Sequence, residues 1–165
     1  MPHKIVVMGV SGCGKSTLAA ALARALACPL IEGDDHHLPA SRAKMQSGIA
    51  LEDADREPWL DALAALLAEA PVGAVLTCSA LKRAYRERLR RQVAGLRFVY
   101  LAIDAADART RVAARPAHFF PASVVASQFE ALEPPDGEPG VICLDARRPV
   151  PALCAEVLAW LDAPA

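Results

Sequence analysis

The chain has 165 residues, 54% hydrophobic and 22% charged, with a formal net charge of −1. A chain of that length builds one domain and buries roughly 70% of its unfolded surface, so it needs no covalent or metal staple. The composition excludes a disordered coil. The near-neutral charge argues against a dedicated nucleic-acid binder, and no run approaches the ~20 apolar residues of a membrane-spanning helix.

In chain order, short apolar runs alternate with helical patterns. The runs 4–9, 29–32, 74–78, 97–103 and 141–144 read as strands buried on both faces, the mark of a parallel sheet. Helical patterns cover 15–27, 36–47, 53–69, 82–92, 105–114, 122–132 and 151–161, with Asp53 as the expected N-cap of the third. This alternation predicts a three-layer α/β fold, a five-stranded parallel sheet with helices on both faces, in a single domain spanning 1–165. The opening apolar stretch is too short for a signal-peptide core and runs into glycines. Five cysteines, at 13, 28, 78, 143 and 154, include no CxxC pair, which fits reduced thiols in a cytoplasmic protein. The basic residues are uneven, 14 arginines against four lysines at 4, 15, 44 and 82, so each retained lysine marks a place to look.

Gly9-Val10-Ser11-Gly12-Cys13-Gly14-Lys15-Ser16 matches G-x-x-x-x-G-K-[ST] between a strand and a helix, the context that this phosphate loop requires. Its glycines let backbone N–H groups turn inward on phosphate oxygens, and the helix N-terminus adds partial positive charge. Lys15 is expected to reach the β- and γ-phosphates of ATP, and Ser16 to ligate Mg²⁺. The loop alone leaves kinases, switches and motor-like ATPases open.

The second strand ends in Gly33-Asp34, placing Asp34 at the carboxyl edge of the sheet, where ligands bind in open α/β folds. A carboxylate there can position or deprotonate an acceptor hydroxyl, and it can equally cap the next helix. His36 and His37 do not share a helix face, so a metal pair is disfavoured, and one of them touching a polar substrate is the better reading. Arg56, next to an apolar Trp59, suits a rigid clamp for a carboxylate or hydroxyl. Lys82 and Arg86, four apart at the edge end of the fourth helix, are the basic residues of that cluster expected to face the site. Arg111 and Arg115 share a helix face and lead into a Pro-bracketed aromatic pair, which predicts a lid over about 111–132. A salt-bridged surface helix is the alternative.

Taken together, Gly9–Ser16, Gly33-Asp34, Lys44-Met45, the block from Asp53 to Leu60, Cys78-Ser-Ala-Leu-Lys82 with Tyr85-Arg86, and His118-Phe-Phe with Ser127-Gln128-Phe129 resemble the gluconate kinases. These are small P-loop kinases related to shikimate and nucleoside monophosphate kinases. The resemblance implies ATP- and Mg²⁺-dependent phosphorylation of D-gluconate at its 6-hydroxyl, in a cytoplasmic enzyme that pairs as a homodimer in similar kinases. It implies Asp34 as the base or positioning carboxylate, and His37, Arg56, Lys82 and Arg86 as substrate ligands. Arg111 falls over adenine and Arg115 toward the phosphates, so Lys15, Asp34 and Arg115 form the expected catalytic set. His118 and Gln128 match family positions without a role legible from spacing. The chain departs from the family at Ser41, where Asn is usual, and at Ala50-Leu51-Glu52-Asp53, where Pro-Leu-x-Asp is common. The rival readings are a kinase of shikimate or another small polyol acid, and a non-catalytic nucleotide-binding regulator. Against the regulator, a guanine-specific Asn-Lys-x-Asp is absent from the sequence.

Overall fold

The structure is a computed structural model that describes residues 2–114 and 122–164, with backbone only at 122–124. Five strands, β1 (Lys4–Met8), β2 (Leu30–Glu32), β3 (Ala74–Thr77), β4 (Arg97–Ala102) and β5 (Val141–Asp145), pair in parallel in the order β2-β3-β1-β4-β5. The helices are α1 (Lys15–Leu26), α2 (Pro39–Gln46), α3 (Asp53–Ala68), α4 (Arg83–Gln92), α5 (Ala105–Ala113), α6 (Ala122–Ala131) and α7 (Val150–Asp162). The expected five-stranded parallel sheet with helices on both faces is found.

Two-residue alternation divides the core between the faces of the sheet. Val6, Met8, Leu76, Phe98 and Tyr100 pack toward α3 and α4, against Trp59, Leu60, Leu63, Leu67, Tyr85 and Leu89. Ile5, Val7, Val75, Val99 and Leu101 point the other way, into Leu18 and Leu22 of α1 and Leu153, Val157 and Leu161 of α7. Both sides of each central strand are therefore apolar, the reason these segments read as continuous hydrophobic runs. A third cluster, Val10, Leu81, Ala108, Val112 and Val125, joins the phosphate loop to α5 and α6.

Three local readings are corrected. The helix expected over 36–47 is broken into a 3-10 turn, Gly33–His36, and α2, because Leu38 precedes Pro39 and is held extended at ψ 151°. Asp53 is not the N-cap of α3. Glu52 is, in a reciprocal capping box with Asp55, which frees the Asp53 carboxylate for other partners. Lys82 lies just before α4 as its N-cap residue. The expected lid is described only at its two ends, α5 and α6, and residues 115–121, with Arg115 and His118 among them, lie outside the described residues.

α3 and α4 are also tied on their outer sides. Arg88 donates from Nε and Nη2 to both Asp61 oxygens at 2.8 Å, and Gln92 donates to Asp61 Oδ1 at 2.8 Å. The Arg88 and Gln92 hydrogen bonds hold the Asp61 carboxyl down at about 2. A carboxyl depressed in the fold adds stability that is present above its unfolded value, about 3.9, and is lost as pH falls toward the folded one. Asp61→Asn is accordingly expected to lower the melting temperature slightly at pH 7, with the gap to the parent chain closing between about pH 4 and pH 2. Thermal melts across that range check this, and a gap that widens on acidification would contradict it.

Candidate active site

The order β3-β1-β4 places a topological switch point at β1, and the loop leaving β1 is the phosphate loop. Gly14 caps α1 at φ 94°, so the loop turns directly into the helix N-terminus, with its unpaired N–H groups facing the loop. Gly12, at φ +87°, is pressed against α5: a Cβ there would stand 2.7 Å from the Ala108 carbonyl. Lys15 Nζ donates to the carbonyls of Gly9 at 2.9 Å and Val10 at 3.2 Å, so its ammonium is folded over the loop. Arg111 reaches the loop from behind, donating to the carbonyls of Gly12, Cys13 and Ala146, the last in the β5–α7 turn.

The ends of β2 and β3 complete a cleft of about 990 Å³ that includes its open mouth and is lined by Lys15, Asp34, His37, Arg56 and Lys82 among others. Five residues expected from separate stretches of sequence thus meet in one cavity. Asp34 has a half-open side chain, 53% exposed, with His37 Nε2 3.5 Å from Oδ1. Burial around it pushes the carboxyl up, but His37, Lys15 and Arg42 together outweigh this and hold it below the ordinary carboxylate range. Asp34 is therefore ionised at neutral pH. His37 is buried and stacks on Trp59, centroids 4.1 Å apart and planes at 20°. Trp59 thus supports His37, where the sequence suggested support for Arg56. The Arg56 guanidinium instead lies 5.4 Å from the Tyr85 ring centroid.

Asp53, freed from capping, accepts from Tyr85 Oη at 2.5 Å and from Lys82 Nζ at 3.1 Å. The Tyr85 and Lys82 bonds lower its carboxyl, while burial and Asp53 raise the Tyr85 phenol, which stays a donor. Two buried polar atoms in cavity-lining residues, His37 Nδ1 and Arg56 Nε, have no hydrogen-bond partner. Cys78 lines the same cavity with its thiol pushed up to about 12 by burial, which leaves it unreactive.

Sequence reasoning missed Glu32. Its Oε2 accepts from Ser16 Oγ at 2.8 Å, and its Oε1 is buried with no partner. The available signal was a second carboxylate two residues before Asp34 on the same strand end. Hard oxygen donors of this kind, one hydroxyl beside a carboxylate with an uncommitted oxygen, fit a Mg²⁺ that keeps several waters. No cluster of three or more His, Cys, Asp or Glu residues able to hold a metal occurs among the described residues.

Arg86 is not brought to the cleft. It is fully buried, paired with Glu138 at 2.6 Å, and donates to the carbonyls of Ala80 at 2.8 Å and Glu133 at 2.9 Å. A helix residue four beyond Lys82 points inward here because α4 packs its Tyr85, Arg86, Leu89 face on the core. Its guanidinium restrains Ala80, a non-glycine residue at φ 46°, and so shapes the turn that presents Lys82. Lys44 pairs with Asp55 at 3.0 Å, tying α2 to α3 outside the cavity lining, and Ser41 is buried outside it too. Arg86→Leu is expected to cost about 3 kcal/mol of stability, the low end for breaking a buried pair, because Arg90 at 3.0 Å still partners Glu138. Urea unfolding measures this, and a change under about 0.5 kcal/mol, the scale of an ordinary surface substitution, would contradict it.

A family model described as AAA domain matches residues 5–135. The chain is 42% identical over 165 residues to the gluconokinase of Gluconobacter oxydans, covering 98% of this chain and 93% of that one. It is 38% identical over 160 residues to the thermoresistant gluconokinase of Escherichia coli, covering 94% and 91%. Among solved structures, a gluconokinase from Sinorhizobium meliloti superposes with a TM-score of 0.88 at 44% identity, covering 97% and 91%. The APS kinase of Mycobacterium tuberculosis, 19% identical with a TM-score of 0.70 and coverage of 99% and 100%, shares the fold alone. Matches of that identity over nearly the full length make the chain a member of the gluconokinase family of P-loop kinases.

Proposed function

We propose that the chain transfers the γ-phosphoryl group of ATP to the 6-hydroxyl of D-gluconate, forming 6-phospho-D-gluconate. The observation that carries this reading is the meeting of the ionised Asp34, His37, Arg56 and Lys82 with the phosphate loop in one cavity, where His37 and Arg56 each keep a buried nitrogen, Nδ1 and Nε, without a hydrogen-bond partner. An unpaired buried polar group costs about 1–3 kcal/mol, which a ligand rich in hydroxyls and bearing a carboxylate returns. The close relatives named gluconokinase select the acid.

The residues divide the work. The glycines and N–H groups from Gly9 to Ser16 cradle the nucleotide phosphates, Lys15 leaves the Gly9 and Val10 carbonyls for the phosphoryl oxygens, and Arg111 takes the adenine side. Ser16, with Glu32 behind it, would hold Mg²⁺, which when bound neutralises the β- and γ-oxygens. Asp34 fixes the acceptor hydroxyl and takes its proton late, a task that a weakly basic carboxylate can perform when the transition state is loose. Arg56, His37 and Lys82 hold the acid and its hydroxyls, with Lys82 drawn from Asp53. Arg115, outside the described residues, keeps the phosphate-facing role that the resemblance implies. Among the described residues no helix is long and apolar enough to cross a membrane, and all five cysteines are free. The same reading sets the enzyme in the cytoplasm, where ATP is held and thiols stay reduced.

A coupled assay of ADP release across sugar acids is expected to show turnover with gluconate. Turnover with shikimate or another polyol acid and none with gluconate would overturn the reading. Asp34→Asn is expected to reduce kcat by about 10²–10⁴-fold. Arg56→Ala is expected to act mainly on the gluconate KM, because it removes binding common to ground and transition states. A fall confined to kcat in steady-state kinetics would contradict that role.

A further inference from the structure

Gln128 makes a contact that none of the roles above uses. Its side chain is buried, and Oε1 accepts from the Ser11 backbone N–H at 2.7 Å, across 117 residues of sequence. Ser11 is the third residue of the phosphate loop. An N–H donor admits only the oxygen of a carboxamide, so this one bond fixes which way round the amide sits. A buried N–H stripped of its partner loses more than the bond itself contributes, so the contact is not readily given up.

The helix that carries Gln128 is anchored independently at its far end. Beyond α6, the Glu133 N–H donates to the Leu81 carbonyl at 2.7 Å, Glu133 Oε1 accepts from the Arg83 N–H at 2.8 Å, and Arg86 holds the Glu133 carbonyl. Val125 of α6 packs in a cluster with Val10 and Leu81, again joining the phosphate loop to the turn before Lys82. The helix and the residues just after it therefore touch both the loop that would hold ATP and the turn that would hold the acceptor.

Resting on the kinase reading above, we propose that Gln128 is a positioning residue for phosphoryl transfer. Through α6 it sets the phosphate loop at a fixed register against the Lys82 turn, with Ser11 as the point of attachment. Transfer needs the donor phosphoryl and acceptor hydroxyl held in line, and errors of about 1 Å in that placement are costly. The Ser11 N–H is thereby committed to Gln128, leaving the phosphates to the N–H groups further along the loop and at the start of α1.

The exchange measurement uses the full chain without nucleotide, so its outcome does not depend on the identity of the sugar acid. Residue-resolved hydrogen exchange by NMR is compared for the parent, Gln128→Met, which removes the acceptor, and Gln128→Glu, which keeps one. The Ser11 amide is expected to exchange about tenfold faster or more in Q128M and near the parent rate in Q128E, with the amides of β1 and β4 unchanged in both. In steady-state assays with ATP and an acceptor that turns over, Q128M is expected to lower kcat about tenfold, with the ATP KM changed much less, because Gln128 aligns the transfer without touching the nucleotide. A rise in ATP KM with kcat unchanged would overturn the positioning role. Parent-like Ser11 exchange in Q128M would overturn the proposal, as would equal loss of protection in both variants or a uniform rise across β1 and β4. The substrate screen on the parent chain separately decides whether the acceptor is gluconate.

Discussion

The close approach of β2 to β3 at Gly33 is the constraint on which the acceptor side of the cleft depends. A Cβ at this position would stand 2.2 Å from the Thr77 carbonyl oxygen, so only glycine fits. The Gly33 N–H donates to Thr77 Oγ1 at 3.2 Å, and its carbonyl accepts from Trp59 Nε1 at 2.8 Å. One residue is thereby clamped from β3 on one side and α3 on the other. The next residue is Asp34, and the same Trp59 ring carries His37 on its face. Backbone packing thus aims the carboxylate and the imidazole, and the charge chemistry of the site follows from that placement.

Charge in the cleft is managed by internal partners. A nearly neutral chain that binds an anionic nucleotide and an anionic acid needs a local concentration of cations. Lys15, Arg56 and Lys82 supply it, yet two of the three are occupied: Lys15 by loop carbonyls and Lys82 by Asp53. These contacts are exposed or half-buried and of modest strength, so an anion with better geometry can replace them. Arg56 differs: its guanidinium lies against the Tyr85 ring, and its buried Nε has no hydrogen-bond partner. The contrast with Arg86 shows how burial sorts residues of identical type. One guanidinium faces a cavity, while the other is sealed against Glu138 and two carbonyls and serves the shape of the Lys82 turn.

α5 and α6 form a third layer of control over the phosphate loop. Arg111 grips its carbonyls from α5, and Gln128 grips the Ser11 N–H from α6. Val10 packs between the two helices in a small apolar cluster. The loop is therefore held by side chains nearly 100 or more residues distant, in addition to the strand and helix that flank it in sequence. A glycine-rich loop has large conformational freedom of its own, and contacts of this kind restrict it.

The sequence by itself determined the parallel sheet, the phosphate loop and the edge position of Asp34, because these rest on local rules. Apolar strands buried on both faces have a distinctive pattern, and a loop between strand and helix orients its own N–H groups. It also marked His37, Arg56 and Lys82, which the fold does bring together. It misassigned Arg86, Asp53 and the support of Arg56, and it left Gln128 without a role. Those depend on which neighbours other segments supply: Glu138 for Arg86, Glu52 as the true cap that releases Asp53, Trp59 turned toward His37, and Ser11 for Gln128. Spacing along one helix says which side chains share a face, but only the packing of distant elements decides whether that face meets a cavity, a counter-ion or the core.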